Sequence, residues 1–351
     1  MKVRSLPFAL VVSFLLTAFM AGSALASDKI VWKMASSWPK GTILQEIADD
    51  FAAQVTKMSD GRLTIKSYPA GVLMGALEVT DAVRMGTIDA AHSSPSYSVG
   101  QLSAAPLFGY IPFGMEAIPY LTWMYVGEGK ALFTRLYEKY DFGYVAPCGI
   151  LPSEDLAWSN KPITTMDDFK GLKFRTSGYW GEILSAAGAS VMMLPAGEVY
   201  EGLQRNVLDA GEFSIPSIDK DLAFYEIAEY LLVPGIHQTS TFMDIKINKN
   251  SWNKLSEDLK EIIRVASESA TMRLLTRSIN RDVPALDFFK AKGVKIQYLD
   301  PKIQTELAKT SRELMEKKAA QDPFFKEVWE SQKKFRTGYD NYKSLMTPSY
   351  Q

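Results

Sequence analysis

Arg175 closes the stretch Gly171-Leu-Lys-Phe-Arg175, in which Leu172 and Phe174 alternate with it. Alternation is the pattern of a strand, so the guanidinium lies on the face opposite those two apolar side chains. On a cleft wall its planar fork would take a carboxylate through two parallel hydrogen bonds; on a sheet edge it would be a solvated arginine. Gly178 and Gly181 follow closely and let backbone amides approach a ligand. Glu212 ends Asp209-Ala-Gly-Glu212 and precedes Phe213, so an acid and an aromatic leave a strand end together. A carboxylate there suits a cation, a hydroxyl or an ammonium in a cleft, or plain water at a surface. Glu154, beside Asp155, has the same range of readings. Trp38 after the first strand and Tyr97 after the third stand where an open α/β sheet places cleft residues, and each either walls an organic ligand or packs the core. His92, at another strand end, reads as a hydrogen-bonded structural residue.

Such positions need a scaffold that gathers strand ends. Ile30 to Ala35 and Arg62 to Tyr68 read as strands around a helix from Ile43 to Met58, whose apolar residues at 43, 44, 47, 48, 51, 52 and 55 keep helical spacing. Pro69-Ala-Gly71 turns into a helix predicted from about Met74 to Met85, and Gly86 to Ala91 enters a third strand. This βαβαβ order predicts a parallel sheet with right-handed crossovers. The pattern recurs with a strand at Val191 to Leu194, the turn Pro195-Ala-Gly197, a helix from Glu198 to Gln204, and Asn206 to Ala210 leading to a strand. Tyr144 to Cys148 and Leu156 to Ser159 read as strands at a crossover, and Thr241 to Asn248 as a strand that returns. Trp252 to about Phe289 is helical, with a Ser256-Glu-Asp258 cap inside it that starts the longer part; Pro301 to roughly Gly338 is helical with a break at Pro323, and the tail after Tyr339 shows no clear element. The expected fold is α/β and two-lobed, with a mixed, mostly parallel sheet in each lobe and long C-terminal helices. Residues 27–150 with about 240–290 would form one lobe, and 151–239 with about 291–351 the other.

The chain starts with Lys2 and Arg4, then an apolar run from Leu6 to Met20, then Ala24-Leu-Ala26. That is the order of a secretory leader, residues 1–26, with cleavage after Ala26 and no cysteine there for a lipid anchor. Removing Lys2 and Arg4 takes 39 basic residues to 37 against 40 acidic, a net charge of −3. Near-neutrality argues against nucleic acid or an anionic membrane as partner. Cys148 is the single cysteine, so no internal disulfide forms and a large core must hold the fold. The expected location is the periplasm. His-Glu-x-x-His, Gly-x-Ser-x-Gly and Gly-x-Gly-x-x-Gly are all missing, and two histidines with one cysteine make a zinc site of those residues implausible.

Longer stretches carry a resemblance. Trp32-Lys-Met-Ala-Ser-Ser-Trp-Pro39, Gly61-Arg-Leu-Thr-Ile65, Asp168-Phe-Lys-Gly-Leu-Lys-Phe-Arg175, Leu194-Pro-Ala-Gly-Glu198 and Ile247-Asn-Lys249 with Trp252 resemble the extracytoplasmic solute-binding proteins of TRAP transporters, the DctP-type family. The likeness spans nearly the whole mature chain. Gly181-Glu182, Asp209-Ala-Gly-Glu-Phe213 and Pro234-Gly-Ile-His237 favour the branch that binds 2-oxo acids and lactate. The resemblance implies a two-lobed periplasmic binding protein, not an enzyme, that closes on a small carboxylate and delivers it to the TRAP membrane permease. It implies that Arg175 pairs with the substrate carboxylate and that a sodium or calcium ion bridges substrate and protein. Glu212 stands at that branch's glutamate ligand and Phe213 where tryptophan is common. It also allows two copies to pair through their C-terminal helices.

Two departures stand out: Glu154 falls where the branch has glutamine, and Gln238 where it has glutamate. With both in the cleft, the total ligand charge is unchanged and a cation site of Glu154, Glu212, Phe213 and Gln238 survives with rearranged ligands. Alternatively Glu154 takes a substrate ammonium, and the ligand becomes an amino acid or small zwitterion. Two further readings are a periplasmic enzyme, which needs a base or nucleophile poised in the cleft, and a ligand-responsive partner of a sensor.

Overall fold

The computed structural model describes residues 29–348; the leader expected over residues 1–26 lies outside them. Strands β1 (Ile30–Ser36), β2 (Leu63–Tyr68), β3 (Ala90–Ser93), β4 (Tyr144–Leu151), β5 (Ala157–Ser159), β6 (Lys173–Arg175), β7 (Ser190–Met192), β8 (Ala210–Gly211), β9 (Tyr230–Val233), β10 (Thr241–Ile247) and β11 (Lys295–Tyr298) form two sheets. The first has the order β2-β1-β3-β10-β4, and the second β11-β9-β5-β8-β6-β7. β1 pairs in parallel with β2 and β3, as a right-handed βαβαβ unit requires, while β10 runs antiparallel to β3 and β4. In the second sheet β6 is parallel to β7 and β8, β9 is parallel to β11, and β5 is antiparallel to β8 and β9. Both sheets are therefore mixed, and in the first the parallel and antiparallel pairings are equal in number.

The helix Ile43–Met58 forms where its spacing predicts. Thr42 caps it by accepting from the Gln45 amide, and Ile43, Leu44, Ile47, Ala48, Phe51, Ala52 and Val55 are all buried. All seven residues of β10 are buried, because it is an inner strand with a sheet neighbour on each side. Its two charges, Asp244 and Lys246, lie 2.6 Å apart with no exposure, which is how a buried charge is tolerated. The helix Glu257–Ala291 packs along β4 and along Ile43–Met58, and its later turns reach the second sheet, where Phe289 meets Trp158 edge to face at 4.9 Å. One apolar cluster joins Trp38, Ile43, Leu44 and Ile47 from the first sheet's side to Trp158, Phe213 and Phe289 from the second. The helix Pro301–Gln321 begins in the second sheet's core through Ile303 and Leu307 and ends beside the first through Met315 and Ala319.

Three local expectations change. The helix predicted over Met74 to Met85 is confined to Val79–Arg84, since Gly71 is left-handed and the Glu78 side chain holds the Gly75 amide in a turn. The long helix starts after Ser256 as expected, but Trp252 belongs to a separate short helix, Lys249–Asn253, capped by Asn248. The tail is helical from Pro323 to Met346: the helix runs through Gly338 and ends where Pro348 holds Thr347 in an extended conformation.

Candidate functional site

Six strand ends and crossovers converge on one small cavity, with about 20 Å³ of room for water centres. That holds a water molecule or two, so the cleft is closed. Its walls include Trp38, Tyr97, Tyr110, Glu154, Arg175, Ser177, Phe213, Ser214, Gln238 and Thr241. Trp38 follows β1, Tyr97 follows β3, Arg175 ends β6, and Phe213 follows β8, as expected of an open sheet that binds at its carboxyl edge. Glu154 comes from the β4–β5 crossover, and Gln238 from the β9–β10 crossover.

Arg175 is 1 % exposed, and its donors are already engaged. Nε and Nη2 donate to the Leu194 carbonyl at 2.9 and 2.8 Å. Nη1 donates to the Glu212 carbonyl and to Glu212 Oε2, the latter at 3.1 Å. Of the five guanidinium hydrogens, one on Nη2 remains. Most of the fork is therefore spent on the protein itself, with Nε and Nη2 converging on one carbonyl oxygen. Parallel register puts Gly211 opposite Arg175, so the acid one residue on reaches the guanidinium, and Thr176 donates to Glu212 Oε1 at 2.6 Å. The Arg175 guanidinium also sits 5.6 Å over the Phe213 ring.

Glu154 is buried, and Thr241 Oγ1 donates to its Oε1 at 2.7 Å. In the orientation that satisfies its neighbours, the Gln238 amide nitrogen donates to Glu154 Oε1 and Oε2 at 3.1 and 3.2 Å and to Thr241 at 2.6 Å. The two exchanged residues are thus direct neighbours. Burial first, and then the charge of Glu212, pushes the Glu154 carboxyl well above the usual range. His237, one residue before Gln238, completes the group: Glu154, Glu212 and His237 offer ligand atoms within 4.8 Å of one another. His237 is fully buried, and neither ring nitrogen has a hydrogen-bond partner; its Nε2 lies 3.8 Å from Glu154 Oε2. Burial lowers its pKa to about 3, so the ring is neutral and able to ligate. The sequence offered one clue to His237, its place beside an expected ligand.

His92 behaves as a structural residue. Trp38 Nε1 donates to its Nδ1 at 2.6 Å, so the proton is on Nε2, 3.1 Å from the Cys148 carbonyl. Burial lowers its pKa to about 4. The bond fixes the indole of Trp38 in the cavity wall, 6.1 Å from the Tyr97 ring.

Behind the site lies a second acidic pair. Trp158 Nε1 donates to Asp219 Oδ2 at 2.9 Å, and Asp155, buried with both oxygens otherwise unpartnered, adjoins Asp219. Burial, with the Glu212 charge in addition, raises the Asp219 pKa to about 8 against a model-compound value of 3.8. The folded state therefore binds this proton more tightly than the unfolded chain. The associated stability is fully present below about pH 4 and is lost as pH rises through about 8. The thermal midpoint will decline across that window, at no more than about 1.4 kcal/mol per pH unit for one proton. Asp219→Asn, which keeps an acceptor for Trp158, will flatten the decline. Equal slopes in the two proteins would count against the assignment.

Comparisons with known proteins fit this geometry. Residues 34–322 match the family described as DctP, bacterial extracellular solute-binding protein, family 7. A monocarboxylate 2-oxoacid-binding periplasmic protein of Nostoc sp. is 33% identical over 307 residues, 87% of this chain and 84% of the relative. A TRAP periplasmic solute-binding protein from Pseudoalteromonas atlantica, with bound sodium and pyruvate, is 30% identical with a TM-score of 0.88, covering 91% of this chain and 97% of that one. One from Bordetella bronchiseptica, a mixed-occupancy dimer with copurified calcium and picolinate, is 26% identical with a TM-score of 0.88, covering 91% and 95%. The chain belongs to the DctP family of extracellular solute-binding proteins.

Proposed function

We propose that this chain is the periplasmic solute-binding subunit of a TRAP transporter, that it captures a small 2-oxo or 2-hydroxy monocarboxylate, and that it hands the ligand to the membrane permease. The observation that carries the reading is charge: two buried carboxylates, Glu154 and Glu212, and a neutral His237 converge beside a single guanidinium. One positive charge for two carboxylates leaves a deficit that a proton or a cation must fill. The orphaned nitrogens of His237 favour the cation. Glu154, Glu212 and His237 would hold a sodium or calcium ion, with Gln238 able to turn its amide oxygen inward. The bound ion would supply a positive charge for the ligand's oxygens. Relatives with sodium and pyruvate, or calcium and picolinate, support this chemistry.

The chain's own groups would orient the ligand. The remaining Nη2 hydrogen of Arg175 and the hydroxyl of Tyr97 suit its carboxylate. Burial raises the Tyr97 pKa to about 12, so this hydroxyl remains a donor. Trp38, Phe213 and Met243 leave only apolar walls for the ligand's tail. Closure would be a hinge motion between residues 27–150 with about 240–290 and residues 151–239 with about 291–351. The separate sheets of β1–β4 with β10 and of β5–β9 with β11 support that division for the strands, while Met315, Ala319, Phe325 and Val328 of the C-terminal helices pack beside the first sheet. Pairing of two copies through the last helix belongs to the same reading, supported by exposed Tyr342, Leu345 and Met346. The family consists of transport binding proteins, and no turnover of the ligand is assigned.

Calorimetry tests the reading. Pyruvate will bind at one site in buffer containing sodium and calcium. Its affinity will fall by at least about tenfold, or 1.4 kcal/mol, in choline buffer with a chelator. Alanine will not compete. Tight alanine binding without metal would replace this reading with the zwitterion one, in which Glu154 takes the ammonium.

A further inference from the structure

Tyr110 and Ser177 come from opposite sides of the cavity. Tyr110 follows the short helix Pro106–Gly109, whose Phe108 packs with Trp123, Phe133 and Phe242 of β10, so it moves with the first sheet. Ser177 follows β6 and is the N-cap residue of the helix Gly178–Ala186, so it moves with the second. Their hydroxyls meet at 2.8 Å in the cavity wall, with Tyr110 3% and Ser177 6% exposed. The approach is close because residue 178 is glycine with φ +60°: a Cβ there would lie 2.6 Å from the Tyr110 hydroxyl oxygen and 2.9 Å from Cζ. The phenol thus occupies the space of a missing side chain. Burial holds it protonated, so it is a neutral partner in this bond.

We propose that the Tyr110–Ser177 hydrogen bond is the latch of the closed cavity, setting how long a ligand is retained and not how fast it arrives. The proposal rests on the small-acid reading above only for its choice of ligand. In an open cleft both hydroxyls are hydrated, so the bond contributes only after closure. Its net worth is that of a neutral hydrogen bond, and its loss will appear in dissociation.

Tyr110→Phe and Ser177→Ala each delete one hydroxyl and keep the rest of the wall. Stopped-flow tryptophan fluorescence with pyruvate in sodium and calcium buffer will show dissociation about three- to tenfold faster in each variant, or about 0.6–1.4 kcal/mol. Association will rise by no more than about twofold, because ligand enters the open form and the unliganded parent protein is partly closed, and the double variant will dissociate no faster than the singles. Unchanged dissociation in the singles, or additive effects in the double, overturns the latch. Small-angle scattering without ligand supplies a separate readout: Tyr110→Phe will be more expanded than the parent protein. If the parent protein binds no pyruvate, the ligand reading fails while the latch is judged by scattering, where identical curves overturn it.

Discussion

Arg175→Ala will lose ligand binding and a large part of the fold's stability together. The guanidinium bridges the half-buried Leu194 carbonyl and the buried carbonyl and carboxylate of Glu212. Truncation leaves Glu212 without its cationic partner, which costs about 3–5 kcal/mol for a buried pair. It also removes the anchor assigned to the ligand's carboxylate. With one charge-assisted bond from Nη2 at about 1.5–3 kcal/mol, affinity for pyruvate will fall by about 10- to 150-fold. Arg175→Lys separates the two effects, since it keeps the charge near Glu212 and loses the fork. It will recover part of the stability and little of the affinity. Paired thermal melts and calorimetric titrations read both quantities. Pyruvate affinity in Arg175→Ala equal to that of the parent protein would remove Arg175 from the site.

The second large effect comes from a residue with no side chain. A Cβ at Gly235 would overlap the Glu154 carbonyl oxygen and lie 2.6 Å from its carbonyl carbon. Both atoms are backbone, so no side-chain rotation relieves the clash. Gly235→Ala must push the two crossovers apart, at about 3 kcal/mol or somewhat more, the upper part of the range for overpacking. The displacement acts on Glu154, Gln238 and His237 together, because the crossovers are joined by backbone as well as by side chains: the Glu154 amide donates to the Gln238 carbonyl at 3.0 Å, and the Gln238 side-chain amide donates to the Glu154 carboxylate. Pyruvate binding will therefore weaken along with stability. Gly197→Ala is the matched control, since nothing lies within 4 Å of a Cβ there and the position is helical. It will be neutral or stabilising. Gly235→Ala behaving like Gly197→Ala would show that the crossovers yield at little cost.

The parts of this protein that follow a period were legible from sequence. The helix Ile43–Met58 and the strands β1 and β2 lie where spacing puts them, because burial of one face dictates both, whereas β3, buried on both faces, begins only at Ala90 of the expected Gly86 to Ala91. Arg175 and Glu212 were legible as strand-end residues. Their mutual contact was not, since it depends on the parallel register between β6 and β8. Glu154, Gln238 and His237 sit on aperiodic crossovers, so Glu154 was legible only as an acid of open role, the resemblance alone pointed to Gln238, and His237 was passed over as a ligand. The turn ahead of Val79 and the helical tail to Met346 were misread for a related reason. A side chain that stabilises a turn, such as Glu78, leaves no periodic signal, and Gly338 reads as a helix stop although the helix runs through it.

The contact between Glu154 and Gln238 also bears on how such a site changes over generations. Moving the acid from one position to the other takes two substitutions, and the first must create either two acids or two amides. With two acids, three carboxylates surround one arginine, and selection for ion binding would tolerate that state better than selection for folding. With two amides the deficit of positive charge disappears, and with it the reason to recruit an ion. Positions 154 and 238 are therefore expected to vary as a pair among descendants that keep the same ligand. A lineage caught with amides at both is the one in which to look for a new ligand.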